Sequence, residues 1–247
     1  MSAVLITGGS RGIGAAVARR VARDGYDVVI TYKEDAGAAG DVCKDVEANG
    51  VGCVAIPCDV AREKDVERAF AACHASFLAP AAVVVNAGIS GRFARVDEID
   101  VPTLEQLWAV NITGAFVTAR EAVRRMSTAH SGTGGVIVFV SSRAAELGGP
   151  NEYVHYAASK GAIDALVRGL GKEVAREGIR VAGVRPGLID TEFHARAGRP
   201  GRVAALAQAI PVGRPGTAEE VAEAVAWLIS PAASYVTGTI LDVSGGR

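Results

Sequence analysis

Tyr156 and Lys160 stand four residues apart in Tyr156-Ala157-Ala158-Ser159-Lys160, so on a helix the phenol and the ammonium stack on one face. Such a pair can move a proton. An isolated tyrosine titrates at a pKa of about 10, and a lysine cation held close favours the phenolate and brings it toward neutral pH. The same spacing also occurs on ordinary helix surfaces, so its meaning depends on what else the chain carries. A second chemical feature is Thr7-Gly8-Gly9-Ser10-Arg11-Gly12-Ile13-Gly14, directly after an apolar run. Glycines let the backbone turn sharply and come close to a pyrophosphate, while the free amides and dipole of a following helix face that anion. Strand, glycines, helix is the context in which such a turn holds a dinucleotide.

The elements that must position these residues follow from the hydrophobic pattern. Short β-branched runs alternate with alanine-rich helical stretches: strand Val4–Thr7, helix Gly12–Arg23, strand Asp27–Tyr32, helix Ala36–Asn49, strand Cys53–Pro57, helix Arg62–Phe77 and strand Ala82–Asn86. The pattern then lengthens. It predicts a long helix over Thr103–Thr128, a strand at Val136–Val140, a second long helix over Glu152–Glu177 and a strand at Ile179–Val184. Thr217-Ala218-Glu219-Glu220 has the form of a capping box opening a helix to about Ile229, and Gly238–Asp242 is a last strand. Val- and Ile-rich strands with little alternation are expected when helices cover both faces. The fold class is therefore α/β, a doubly wound single domain with a mostly seven-stranded parallel sheet.

The chain has 247 residues, 49% of them hydrophobic and 21% charged, with a formal net charge of −1. That balance offers no basic footprint for nucleic acid, and no apolar run reaches the length of a membrane helix. Met1–Thr7 has no basic leader and reads as a first strand, so a soluble, cytoplasmic protein is the expectation. Cys43, Cys53, Cys58 and Cys73 show no metal-ligand spacing. They are expected to be thiols, with no disulfide and no metal site.

The glycine pattern is Gly-x-x-x-Gly-x-Gly, and with it the chain resembles the short-chain dehydrogenase/reductase family along essentially its whole length. Other motifs of that family occur in order: Asp59-Val60, Asn86-Ala87-Gly88, Asn111, a serine before the tyrosine, and Pro186-Gly187. They fall at or just beyond predicted strand ends, where open α/β sheets bind ligands, or on the long helices. The resemblance implies a hydride-transfer enzyme. It implies that Gly8, Ser10, Arg11, Gly12, Ile13 and Gly14 cradle the phosphates and that Asp59 and Val60 meet the adenine. Asn86, Ala87 and Gly88 would shape the floor near the ribose, and Pro186, Gly187, Ile189 and Thr191 would hold the nicotinamide carboxamide. Tyr156 would exchange the proton with a carbonyl oxygen, and Lys160 would lower its pKa and bind the nicotinamide ribose. Asn111 would kink its helix and hold a water linking the lysine to solvent.

Two serines compete for the remaining catalytic place. The position that family spacing gives is Arg143, which has no hydroxyl, and an extra residue in the loop Ala144–Pro150 accounts for that. Anchoring from the strand end selects Ser142, with Ser141 as the alternative if its hydroxyl lies nearer Tyr156.

Charge at the end of the second strand bears on the cofactor. A carboxylate there suits the ribose hydroxyls of NAD, whereas a 2′-phosphate wants cations. Tyr32 and Lys33 occupy this place and Arg11 stands in the glycine loop, which favours NADP(H) over NAD(H). Glu34 and Asp35 are the counterweight. The substrate is a small carbonyl or alcohol whose identity the residues leave open, with 3-oxoacyl-carrier-protein reductases and glucose-dehydrogenase-like enzymes both similar. Arg143, Glu146, His155, Phe193, His194, Phe93 and Arg95 are candidates for its pocket, beneath a lid over Leu188–Pro215. A non-catalytic dinucleotide sensor is the alternative from another class. The resemblance further implies a homotetramer paired through the two long helices and through Gly238–Arg247.

Overall fold

Successive residues of a strand point to opposite faces. In the first strand, β1 (Ala3–Ile6), Val4 and Ile6 enter one apolar core while Ala3 and Leu5 enter another. The computed structural model, which describes residues 2–247, carries this two-faced pattern through all its strands. Those that follow are β2 (Asp27–Tyr32), β3 (Cys53–Pro57), β4 (Pro80–Val85), β5 (Gly135–Val140), β6 (Ile179–Pro186) and β7 (Thr239–Val243). They form a 7-stranded sheet in the order β3-β2-β1-β4-β5-β6-β7, parallel at every pairing. Met1 lies outside the described residues.

Helices α1 (Gly12–Arg23), α2 (Ala36–Glu47) and, far along the chain, Ala218–Ile229 cover one face of the sheet. The other face is covered by α3 (Glu63–Phe77) and by the pair of long helical segments that the sequence predicts. The first of these is not one α-helix. It runs as α4 (Val101–Trp108), a π-helical turn (Ala109–Thr113) and α5 (Gly114–Met126), with Asp100 capping its start. A π turn inserts a residue into the helical ladder, and here it brings Asn111 inward, where it is 2% exposed. After α6 (Ala144–Leu147), the second long helix, α7 (Val154–Glu173), is shorter than expected. It gives way to a 3-10 turn (Ala175–Glu177) and Gly178 at φ +78°, a left-handed conformation that glycine adopts freely. Short helices α8 (Phe193–Arg196) and α9 (Arg202–Leu206) precede α10 (Ala218–Ile229), whose Thr217–Glu220 capping box is formed as the sequence predicts.

The expectation of four free thiols is corrected. Cys43 on α2 and Cys53 on β3 are joined as a disulfide, because α2 packs directly on β3 and brings their Cα atoms to 5.2 Å, well inside bridging range. Cys58 and Cys73 are buried and free.

Strand order reverses between β2 and β4, the two neighbours of β1. Chains leaving β1 and β4 at their carboxyl ends turn to opposite faces, which opens a crevice above the sheet.

Candidate active site

The crevice is a cavity of about 600 Å³. The glycine turn forms one wall. Gly8 lies at φ +66° and Gly12 at φ +52°, and a Cβ on Gly14 would collide with the Gly8 carbonyl oxygen and press on Asn86 Nδ2. Asn86 braces this turn: Nδ2 donates to the carbonyls of Thr7 and Gly8, each at 2.9 Å. Arg11 stands at the N-cap of α1 in extended conformation, and no side chain caps the helix. Its first amides, with the positive end of its dipole, are thus free for an anion. Across the crevice Thr191 approaches Gly12, with Cγ2 3.7 Å from where a Cβ would stand. A glycine cradle, an uncapped helix start and a long crevice are the features a dinucleotide requires, and the residues present fit one.

Of the cofactor residues expected from the sequence, all but Gly14 face the crevice. Gly14 is packed behind the turn, where any side chain would push the loop away from its helix.

At the ribose end, charges pair among themselves. Lys33 Nζ lies 3.0 Å from Asp59 Oδ2, and Arg11 bridges Asp35 at 3.2 Å and Glu192 at 3.5 Å. Burial works to raise the Asp59 carboxyl, but hydrogen bonds from Lys33 and the Ala61 amide outweigh it and leave Asp59 below the usual range. Asp35 also accepts from the Ala38 amide, so this counterweight to NADP binding serves as the N-cap of α2.

Tyr156 and Lys160 lie on the buried side of α7, at 9% and 6% exposure. Ser142, just past the end of β5, lines the crevice together with Tyr156, and its Oγ accepts from the Ala144 amide at 3.1 Å. Ser141 turns away. Its Oγ donates to Asp164 Oδ1 at 2.6 Å, and Asp164 is held in turn by Arg185 Nε at 2.8 Å. Lys160 Nζ donates to the Val140 carbonyl at 2.8 Å and stands 5.9 Å from the Tyr156 ring centre. Burial raises the Tyr156 phenol well above its ordinary value, only partly offset by Ser142, and pushes the Lys160 ammonium down to about 8. The expected lowering of the phenol by Lys160 does not appear in the protein itself, where burial dominates.

Asn111 does not line the crevice. Its amide is bonded to the Ile89 backbone through both Oδ1 and Nδ2, at 2.8 Å each, and Nδ2 also donates to Ser159 Oγ at 3.0 Å. It thereby ties the loop after β4 to α7, one residue from Lys160.

Among the pocket candidates, Arg143, Phe93, Phe193 and His194 line the cavity, whereas Glu146, His155 and Arg95 do not. Glu146 is drawn into ion pairs with Arg143 and Arg185, His155 packs under Gly91, and Arg95 pairs with Asp97 on the surface. Tyr153 and Arg202 are among the pocket residues that the sequence reading did not single out. Tyr153, three residues before Tyr156, meets that ring edge-on at 5.6 Å, and Arg202 bonds the Tyr153 hydroxyl at 3.1 Å. The three-residue spacing was a signal for Tyr153, but nothing local marks Arg202.

Known proteins share this fold. Residues 8–247 match the family model described as enoyl-(acyl carrier protein) reductase. The chain is 46% identical over 247 residues, covering 100% of both sequences, to the uncharacterized oxidoreductase YgfF of Escherichia coli (strain K12). Its fold superposes with a TM-score of 0.92 on the 3-ketoacyl-(acyl-carrier-protein) reductase of Brucella melitensis complexed with NADH, at 30% identity over 100% of this chain and 98% of that one. A short chain dehydrogenase from Burkholderia cenocepacia in complex with NADP gives a TM-score of 0.90 at 32% identity, over 99% and 97%. The chain belongs to the short-chain dehydrogenase/reductase family. It is an oxidoreductase acting on CH–OH groups with a nicotinamide cofactor.

Proposed function

We propose that this enzyme interconverts a ketone or aldehyde and the corresponding alcohol with NADP(H), using Tyr156 as the proton donor and acceptor. The observation that carries the reading is that Ser142, Tyr156 and a buried Lys160 line the same crevice as the glycine turn. Bound there, a nicotinamide cofactor supplies or takes the hydride. Ser142 and Tyr156 offer two hydroxyl donors to the substrate oxygen, where negative charge develops in the transition state. A phenol whose pKa burial has raised keeps its proton until that charge appears. Lys160, now on the Val140 carbonyl, would hold the nicotinamide ribose, and Asn111 would support a water-linked route from it to solvent. Asn111 is a positioning residue, since its amide holds the Ile89 loop against α7.

Arg11 and Lys33 are the cations expected at the 2′-phosphate, and a phosphate dianion competes for them against the partly exposed carboxylates of Asp35, Glu192 and Asp59. The NADP complex of the Burkholderia relative supports this choice, although the Brucella enzyme is complexed with NADH. The Brucella enzyme's description also supports 3-oxoacyl thioesters as a substrate class, with sugars or polyols as the alternative within the family. The segment Leu188–Pro215, with α8 and α9, acts as a lid by placing Phe193 6.0 Å from the Tyr156 ring. Trp108 and Phe116 on the first long helical segment and Leu241 on the open edge strand β7 are exposed apolar residues at the surfaces expected to pair subunits in a cytoplasmic homotetramer. Among the described residues no helix is long and apolar enough to cross a membrane.

The test is nucleotide absorbance decay with NADPH and with NADH across ketones, sugars and acetoacetyl thioesters, for native protein and Tyr156→Phe. Turnover with NADPH that disappears in the variant supports the reading, and an active variant removes Tyr156 from its role. Light scattering showing only monomer would sink the tetramer.

A further inference from the structure

Beyond Tyr156 the pocket ends in a buried cation. Arg202, on α9, has a side chain only 6% exposed, yet it lines the cavity. Nη1 donates to Glu152 at 2.6 Å and Nη2 to the Tyr153 hydroxyl at 3.1 Å, but Nε is buried with no partner among the described residues. Its guanidinium sits 5.0 Å from the Tyr153 ring centre and 5.2 Å from that of Phe93. Since Tyr153 packs on Tyr156, Arg202 stands one aromatic ring away from the reacting phenol.

Charge around it does not cancel. Glu152 is the one carboxylate bonded to Arg202, while Arg199 and Arg247 both lie close enough to hold the Glu152 carboxyl below its ordinary range together with Arg202. Arg247 also lines the cavity and makes no ion pair among the described residues. The remaining acids nearby are engaged elsewhere: Glu192 on Arg11, Glu146 and Asp242 on Arg143 and Arg185, while the main-chain oxygen of Arg247 accepts from Arg143 Nε at 2.7 Å and Ser244 Oγ at 3.1 Å. His194, facing the same space, is kept neutral by burial and by Arg202, and its Nδ1 is buried without a partner. A neutral substrate would leave this excess positive charge facing an apolar aromatic wall. A phosphate dianion would meet Glu152 across the guanidinium. A carboxylate brings one charge and a planar pair of acceptors that suit a guanidinium edge.

We propose that the enzyme selects carbonyl substrates carrying a carboxylate, which Arg202 and Arg247 hold at the far end of the pocket while Tyr156 and Ser142 receive the carbonyl oxygen. The inference rests on the carbonyl-reducing reading of the same site. It makes Arg202 and Arg247 specificity residues.

The test compares keto acids with their methyl esters, which remove the charge at the cost of one added methyl: levulinate and ortho-, meta- and para-acetylbenzoate, with NADPH and the full chain. The expected result is at least one acid reduced with a kcat/KM tenfold or more above its ester. In Arg202→Gln the preference disappears through a rise in KM for the acid that exceeds any change for the ester. Because Arg202→Gln strands Glu152 and could fail to fold, Arg247→Gln on the protein's tail serves as the second variant, with a smaller loss in the same direction. Esters reduced as well as acids, or a preference that survives both substitutions, would overturn the proposal. If no compound is turned over, the redox reading is what fails, and calorimetric binding to the NADPH complex decides the anion site separately. Acids that bind while esters do not sustain it, and acids that fail to bind overturn it.

Discussion

Ser141 and Ser142 are neighbours in the chain, yet Ser141 Oγ donates to Asp164 on α7 at 2.6 Å while Ser142 Oγ accepts from the Ala144 amide at 3.1 Å and lines the crevice with Tyr156. One peptide unit separates a hydroxyl that holds a helix in place from one that can touch a substrate oxygen. Their alanine variants should therefore fail differently. Ser142→Ala is expected to lower kcat by on the order of 10²–10³ with melting temperature unchanged, as for loss of one donor to a developing oxyanion. Ser141→Ala is expected to cost about 1–3 kcal/mol of stability, because Asp164 loses a buried donor, with kcat falling much less. Steady-state kinetics beside urea unfolding of each variant decides the matter, and reversed phenotypes would make Ser141 the catalytic serine.

Tyr156→Phe keeps the ring against Tyr153 and Phe193 and removes the phenolic proton alone. Turnover should fall by on the order of 10²–10⁴, the range for general acid catalysis, while the dissociation constant for NADPH stays within about twofold. Fluorescence titration with NADPH separates the two effects.

Arg11 and Lys33 are each paired with a carboxylate, so removing them changes charge at the ribose end without opening the core. Arg11→Ser with Lys33→Ser should weaken NADPH binding by roughly tenfold or more, the scale of one or two charge-assisted hydrogen bonds, and NADH binding by far less. Equal losses for both nucleotides would refute the assignment of NADP(H).

Burial pushes His194 from its ordinary 6.5 down to about 4, with the Arg202 charge acting in the same sense. Between those values the unfolded chain binds a proton that the folded chain does not. Stability therefore falls as pH is lowered from 6.5 toward 4 and is insensitive to this group above that window. Burial lowers His155 as well, in the same direction. Denaturant midpoints measured across this range should drop less steeply in His194→Asn than in the native protein.

The Cys43–Cys53 bridge closes a loop with a sequence separation of 10. In the chain-entropy view its reduction should cost about 2–3 kcal/mol. Mass spectrometry after alkylation in denaturant should find two labelled cysteines before reduction and four after it, and four at the outset would show that the bridge is absent.

Much of this enzyme was legible along the chain because its signals are local. The β-branched runs marked the strands, with β2 and β3 placed to the residue, and the Thr217–Glu220 capping box started α10 where expected. Glycine spacing after β1 and the four-residue step from Tyr156 to Lys160 depend only on neighbouring residues, so chemistry could be inferred from them before any packing was known. Tertiary structure decided what depends on distant partners. The π turn at Asn111 exists because its amide reaches the Ile89 backbone and Ser159, and helical periodicity alone carries no trace of that. Packing of α2 on β3 brought Cys43 to Cys53, and burial, which no local spacing reveals, set the Tyr156 phenol high and the Lys160 ammonium low. Arg202 joins the site from about fifty residues past Tyr153 only because α9 folds back over the aromatic wall. A contact made by chain reversal leaves no period in the sequence to read.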